Sequence, residues 1–261
     1  MGKLQALLFD VDGTLADTER DGHRVAFNQA FEEAGMDWNW SVDLYGELLA
    51  VTGGKERIRF YIDKWHPLVP ETDDLDAFIA GLHARKTFFY TELLKQGNIP
   101  MRPGVRRLLD QAREAGLRLA IVTTTTPANV TALLTHALDP DALSWFELIA
   151  AGDIVAAKKP APDIYSYTLD QMDLKPEQCL ALEDSHNGVI SSTMVDILTL
   201  VTVNDYTRDH SFPGVDLVLD QLGEPDSPVK VLHGDLGGKT YVDLDVLQRL
   251  HAQSGLAQKA S

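Results

Sequence analysis

A single cysteine, Cys179, in 261 residues excludes any disulfide framework. It stands in the apolar run Cys179-Leu180-Ala181-Leu182 and is expected to be a small buried hydrophobe rather than a reactive thiol. No uninterrupted apolar stretch approaches the ~18 residues of a membrane span, and Met1-Gly2-Lys3 leads straight into a strand-like run instead of a signal peptide. A cytoplasmic setting with no membrane partner is the expectation. Basic residues are also scarce. The 23 Lys and Arg against 39 Asp and Glu give a formal charge of −16, which opposes binding to nucleic acid. An anionic substrate must then be held by local cations, and Lys55/Arg57/Arg59, Arg85/Lys86 and Lys158/Lys159 are the clusters available. High charge and no obvious association helix make a monomer the expected state.

What the chain does have is an apolar run ending abruptly in two carboxylates: Leu7-Leu8-Phe9-Asp10-Val11-Asp12-Gly13-Thr14-Leu15. Such a run fits a buried strand of a parallel sheet, and in open α/β sheets ligands bind outside the carboxyl ends of the strands. Side chains at i and i+2 of an extended chain point the same way, so Asp10 and Asp12 are expected to face one site while Val11 turns to the core. Close carboxylates repel unless a cation or a shared proton relieves them, and Mg2+ is the simplest answer. The same Asp-Gly pair also reads as an ordinary turn after a strand.

Helical spacing of Val25, Phe27, Ala30, Phe31 and Ala34 predicts a helix from about Thr18, with N-cap residue types before it, to Ala34. Further helices are predicted near 42–50, 56–65 and 75–94, with Trp38, Trp40, Pro67 and Pro70 assigned to packing or turns. Residues 17–97 thus read as an all-helical insert. From Pro103-Gly104 onward, helices at 105–115, 128–138 and 163–172 alternate with strands at 118–122, 148–150, 179–182, 198–203 and 217–219. This alternation predicts a doubly wound, mostly parallel sheet, formed by residues 1–16 and 98–261, with the helical insert as a cap. Four strands deliver acids, hydroxyls or a lysine at or soon after their ends, which suggests a common rim. After Gly223 come a Pro- and Gly-containing segment, an amphipathic helix at 244–250 and a polar end from Gln253 to Ser261.

Phe9-Asp10-Val11-Asp12-Gly13-Thr14-Leu15, the threonines from Thr123, Lys159-Pro160 and Glu183-Asp184-Ser185 resemble, in that order, the four motifs of the haloacid dehalogenase superfamily. The insert is similar to the cap of the beta-phosphoglucomutase-like branch. Thr52-Gly53-Gly54-Lys55-Glu56-Arg57-Ile58, the segment from Lys158 to Tyr165 and Val201 to Tyr206 look most like the CbbY-type sugar-bisphosphate phosphatases. The resemblance implies hydrolysis of a small phosphorylated sugar, with xylulose-1,5-bisphosphate the leading substrate. It implies Asp10 as nucleophile, Asp12 as general acid and base, Thr123 as hydroxyl donor to a phosphoryl oxygen, and Lys159 as the neutralising cation. Mg2+ would be held by Asp10, the Asp12 carbonyl and Asp184, with Glu183 supporting them. Lys158 is expected to face solvent. Thr124 is a candidate backbone donor; it and Thr123 also suit a strand end and an N-cap.

Substrate choice would fall to the insert. Gly53-Gly54 permits close backbone approach, with Lys55 and Arg57 beside it for a second phosphate. Glu19 and His23 are candidates for sugar hydroxyls or a proton relay, against a plain surface-helix reading. Tyr45 is a candidate pocket wall. Lys86 resembles a cap position that reaches toward the phosphate, although Arg85-Lys86 also reads as an exposed pair. One departure stands out: Asp196 occupies the place of a terminating glycine and is expected to cost stability. A phosphomutase would use the same motifs, and a non-catalytic phosphosugar-binding regulator on this scaffold is the third reading.

Overall fold

In the computed structural model, which describes residues 3–97 and 99–257, seven strands form one sheet. They are β1 (Ala6–Phe9), β2 (Arg118–Thr123), β3 (Leu148–Ala151), β4 (Cys179–Glu183), β5 (Leu198–Thr202), β6 (Leu217–Leu219) and β7 (Val231–His233). Their order is β3-β2-β1-β4-β5-β6-β7, and all neighbours are parallel except β6 and β7. The helices are α1 (Arg24–Glu33), α2 (Val42–Leu48), α3 (Gly54–Trp65), α4 (Leu75–Lys95), α5 (Val105–Glu114), α6 (Pro127–Leu133), α7 (Asp163–Met172), α8 (His186–Thr193) and α9 (Leu244–Ala257). Among the described residues no helix is long and apolar enough to cross a membrane.

Both faces of the sheet are covered, which is why its strands are apolar at nearly every position rather than at every second one. Leu7, Phe9, Leu119, Ile121, Leu180 and Leu182 pack on one side with Val105, Leu108 and Leu109 of α5 and Val246, Leu247 and Leu250 of α9. Ala6, Leu8, Ala120, Val122 and Ala181 pack on the other with Ile164, Tyr165 and Leu169 of α7. Cys179 is buried in this second cluster. Helices α1 to α4 build a separate aromatic cluster in which Phe27 meets Trp40 at 4.7 Å and Phe31 meets Trp38 at 5.2 Å between ring centroids. Ala26 on α1 and Tyr90 and Leu94 on α4 instead join the sheet's cluster, so these two helices carry the insert on the sheet.

Several boundaries differ from expectation for identifiable reasons. The first turn of the helix predicted at 18–34 is wound more widely over Glu19–His23, with the Arg24 N–H donating to the Glu19 carbonyl, and Thr18 does not cap it. The helix predicted at 128–138 leaves α-geometry after Leu133 in the same way. Strand β7 escapes the pattern because its three residues are all exposed and no burial period marks them. Helix α9 runs to Ala257 rather than stopping near Leu250, so of the predicted polar end only residues 258–261 lie outside the described residues.

Asp196 has φ +59°, the left-handed conformation that glycine adopts freely. Asp196→Gly is expected to raise stability by about 1 kcal/mol, read as a higher melting temperature, with activity unchanged. No rise would show that the Asp side chain offsets its own backbone cost.

Candidate active site

The sheet register decides which groups meet. Phe9 lies opposite Ile121 on β2 and Leu182 on β4, so the next residue, Asp10, emerges between Val122 and Glu183. Lys159, on the loop after β3, reaches into that gap. Its Nζ donates to Asp10 Oδ1 at 2.8 Å, to Glu183 Oε1 at 2.7 Å and to the Val122 carbonyl at 2.8 Å, using all three ammonium hydrogens. The Tyr165 hydroxyl donates to the same Glu183 oxygen at 2.5 Å, while Glu183 Oε2 is buried without a hydrogen-bond partner. Asp184 follows directly, accepting from Asn204 Nδ2 at 2.7 Å. Gly13 has φ +89°, and a Cβ there would lie 2.4 Å from both Asn204 Nδ2 and Asp184 Oδ2, so the loop carrying Asp12 closes over Asp184 only because residue 13 has no side chain.

Oxygens of Asp10, Glu183 and Asp184 lie within 4.8 Å of one another, and all three residues are buried. Burial pushes the Asp10 carboxyl up to about 7 against the pull of Lys159, with Glu183 adding repulsion. Asp184 is raised well above the usual carboxylate range by burial, then by Asp10 and Glu183. For Lys159, burial is outweighed by Asp10 and Glu183, which hold its ammonium above the ordinary lysine value. Three carboxylates facing one ammonium leave an excess of negative charge, so the cluster fits a hard divalent cation with oxygen ligands.

Asp12 turns its carboxylate toward the helical insert. Its Oδ1 accepts from Thr18 Oγ1 at 2.6 Å and from His23 Nε2 at 2.8 Å. On the far side of the ring, Lys86 Nζ lies 2.8 Å from His23 Nδ1. An ammonium can only donate, so Nδ1 is the acceptor and the Nε2 proton points at Asp12. Burial would raise Asp12, but His23, Thr18 and Lys86 outweigh it and hold the carboxyl below its usual range. Burial lowers Lys86 to about 8 despite Asp12 and Glu19. His23 and Lys86 are both buried, which excludes the surface-helix reading for His23 and the exposed-pair reading for Lys86. Arg85 does lie outside, paired with Glu33.

A cavity of about 490 Å³ opens on Asp10, Asp12, Thr123, Thr124, Lys159 and Asp184, and extends past Glu19 and Arg57 toward His186, Tyr206 and His210. The Thr123 hydroxyl accepts from the Thr125 N–H at 3.3 Å, which leaves its own hydrogen for a ligand. Tyr45 is not a wall of this cavity. It is fully buried behind it, accepting from Arg57 Nη1 at 2.9 Å and donating to Glu19 Oε2 at 2.5 Å, and so fixes the two residues that do face it. Gly53, Gly54 and Lys55 line a smaller adjoining space with His83, Lys86 and Lys158. Burial, then Lys86, Lys55 and Lys158, lower the His83 imidazole to about 3, so it is neutral.

Lys55, expected at a second phosphate, is engaged by Asp153 at 2.6 Å. Lys158 does not face solvent: its side chain is 14% exposed and pairs with Glu56 at 2.8 Å and Asp153 at 3.0 Å. Ser185 caps α8 by accepting from the Gly188 N–H at 3.1 Å.

The local pattern does not mark Arg102. It is buried and donates to the carbonyls of Gly13, Thr202, Val203 and Asp220, tying the Asp12–Gly13 loop to the ends of β5 and β6. Asn204 was findable, because it follows a strand as Asp10 and Asp184 do.

Residues 4–192 match the family model described as haloacid dehalogenase-like hydrolase. The chain is 45% identical over 251 residues to the plasmid-encoded protein CbbY of Cupriavidus necator, covering 95% of this chain and 97% of that protein. It is similar to the crystal structure of a CbbY variant from Rhodobacter sphaeroides in complex with xylulose-1,5-bisphosphate, with a TM-score of 0.78, 41% identity, and coverage of 92% of this chain and 100% of that one. A beta-phosphoglucomutase from Clostridium difficile, at 16% identity and a TM-score of 0.72 over 97% of this chain and 99% of its own, shares the fold. With the family model spanning residues 4–192 and a relative this similar over nearly its whole length, the chain belongs to the haloacid dehalogenase-like hydrolases.

Proposed function

We propose that this enzyme, a phosphoric monoester hydrolase of the family, is a Mg2+-dependent sugar-phosphate phosphatase whose substrate is xylulose-1,5-bisphosphate. The observation that carries the reading is the Lys159 ammonium bridging Asp10 and Glu183 beside Asp184 at the floor of a cavity large enough for a phosphorylated sugar. The complex of the Rhodobacter sphaeroides relative supports the choice of sugar.

In the first step an Asp10 oxygen attacks phosphorus, and the bond from phosphorus to the sugar oxygen breaks. Asp12 gives its proton to the departing alkoxide, then takes one from the water that hydrolyses the aspartyl-phosphate and frees inorganic phosphate. Lys159 and the Thr123 hydroxyl meet the charge on the phosphoryl oxygens. Asp10, the Asp12 carbonyl and Asp184 would hold Mg2+, which when bound would supply positive charge that favours the ionised form of Asp10 beside the phosphoryl group. The insert over 17–97 acts as a lid that excludes bulk water, and Arg57 and Glu19, fixed through Tyr45, select the sugar.

Phosphate release across pentulose and hexose mono- and bisphosphates, with and without Mg2+, tests this. Stoichiometric phosphate from xylulose-1,5-bisphosphate is the expected result; an accumulating isomer without phosphate identifies a mutase, and no turnover of any sugar refutes the assignment.

The Lys86–His23–Asp12 chain makes a separate prediction. An acid held below its usual range needs a proton source at the moment of leaving-group departure, and the chain supplies one through His23. His23→Asn and Lys86→Met are each expected to lower kcat about 10²-fold. Because burial lowers Lys86 to about 8, it is charged below that pH and loses its proton above it. The wild-type kcat should therefore fall above about pH 8, and Lys86→Met should lose that alkaline limb.

A further inference from the structure

Four charged side chains form a ring across the seam between the insert and the sheet domain. Lys55 and Glu56, on the first turn of α3, come from the insert. Asp153 and Lys158 come from the loop that also carries Lys159. Lys55 meets Asp153 at 2.6 Å, Asp153 meets Lys158 at 3.0 Å, and Lys158 meets Glu56 at 2.8 Å. Two of the three contacts cross the seam. Alongside, Asn187 Nδ2 donates to Thr52 Oγ1 at 3.0 Å, so residues 52–56 make a second contact between the insert and the sheet domain, apart from that of α1 and α4.

We propose that Asp153 is a positioning residue, the keystone of an electrostatic latch in which Lys55, Asp153, Lys158 and Glu56 hold the lid shut over the site. The proposal rests on the phosphatase reading only in taking closure as part of turnover.

The alternating order of charges lets the ring neutralise itself without substrate, so the latch favours closure whatever sugar is bound. Asp153 and Glu56 are about half exposed, with side chains 60% and 43% accessible. Pairs of this exposure are individually weak. A lid must open to admit substrate, however, so its open and closed states differ little in free energy and weak pairs shift their balance visibly. Loss of one pair across the seam should change that balance about 3-fold, and loss of both about 10-fold. Lys158 also adjoins Lys159, so the ring braces the loop that holds the Asp10 partner.

Asp153→Asn and Glu56→Gln separate a latch from a simple charge effect. Each removes a negative charge near an anionic substrate, so a field effect alone would lower KM. A latch raises it: about 3-fold for each of Glu56→Gln and Asp153→Asn, because each removes one contact across the seam, with kcat not reduced. Added salt should erase the difference from wild type, and Asp153→Glu should restore part of it. Small-angle scattering without substrate reads closure independently of turnover, and Asp153→Asn should show a larger radius of gyration. A lower or unchanged KM in both variants, with wild-type scattering, overturns the proposal. If the wild-type protein hydrolyses no sugar phosphate, the phosphatase reading fails while the scattering comparison still decides the latch.

Discussion

Asp10→Asn is expected to lower phosphate release by at least about 10⁴-fold, because an amide cannot replace the carboxylate that forms the acyl-phosphate. The same substitution should make the metal-free protein more stable at pH 8. Burial raises the Asp10 carboxyl from 3.8 to about 7 against the opposing pull of Lys159. Between those two values the folded state binds more protons than the unfolded one, so stability falls as pH rises through the window and the full penalty is present above it. Asn carries no charge and escapes the penalty, which is on the order of 4 kcal/mol. Calorimetry in a chelator should show Asp10→Asn melting roughly 8 °C above wild type at pH 8, with the gap closing near pH 4. Added Mg2+ should reverse the order, since a ligand that binds the folded carboxylate stabilises wild type by mass action. Retention of more than a hundredth of the activity would remove Asp10 from the nucleophile's role.

How much of this was legible in the sequence depends on the kind of contact. Strand ends were legible, because a run buried on both faces must be apolar and a polar residue after it must lie at the rim. That logic sets Asp10, Thr123 and Asp184 on one rim, and adjacency in the sheet order does the rest. The Asp12 environment was only half legible. Alternation in an extended chain pointed both carboxylates at one site, but Asp12 is drawn toward Thr18, His23 and Lys86. His23 and Lys86 are 63 residues apart and meet only because α1 packs along α4, a tertiary fact with no local signature. Charge clusters were the least legible. Lys55 and Lys158 looked like a phosphate contact and a solvated residue, and both are in fact committed to Asp153, whose own neighbours, Gly152 and Ile154, give no hint of it.

Lys159→Met should be the most damaging substitution for folding and chemistry together. The ammonium side chain is 4% exposed and is the direct ionic partner of both Asp10 and Glu183. Its raised value in the folded state means that its contribution is fully present below the ordinary lysine range and is lost only as pH climbs through that higher value, so the whole of it operates at neutral pH. Removing one partner of a buried ion pair leaves the others uncompensated, at a cost of about 3–5 kcal/mol. Here the orphaned groups are carboxylates whose oxygens lie within 4.8 Å of one another and of Asp184. Phosphate release should fall about 10³-fold from loss of charge neutralisation alone. The pH dependence identifies the cause: carboxyls without their cation take up protons, so the variant should lose far less stability at pH 5 than at pH 8, and Mg2+ should recover part of the loss at pH 8. Lys159→Arg should not rescue activity, because a planar fork cannot direct three donors to Asp10, Glu183 and the Val122 carbonyl within the same space. An equal loss of melting temperature at both pH values would mean that the packing of the buried side chain matters more than its charge.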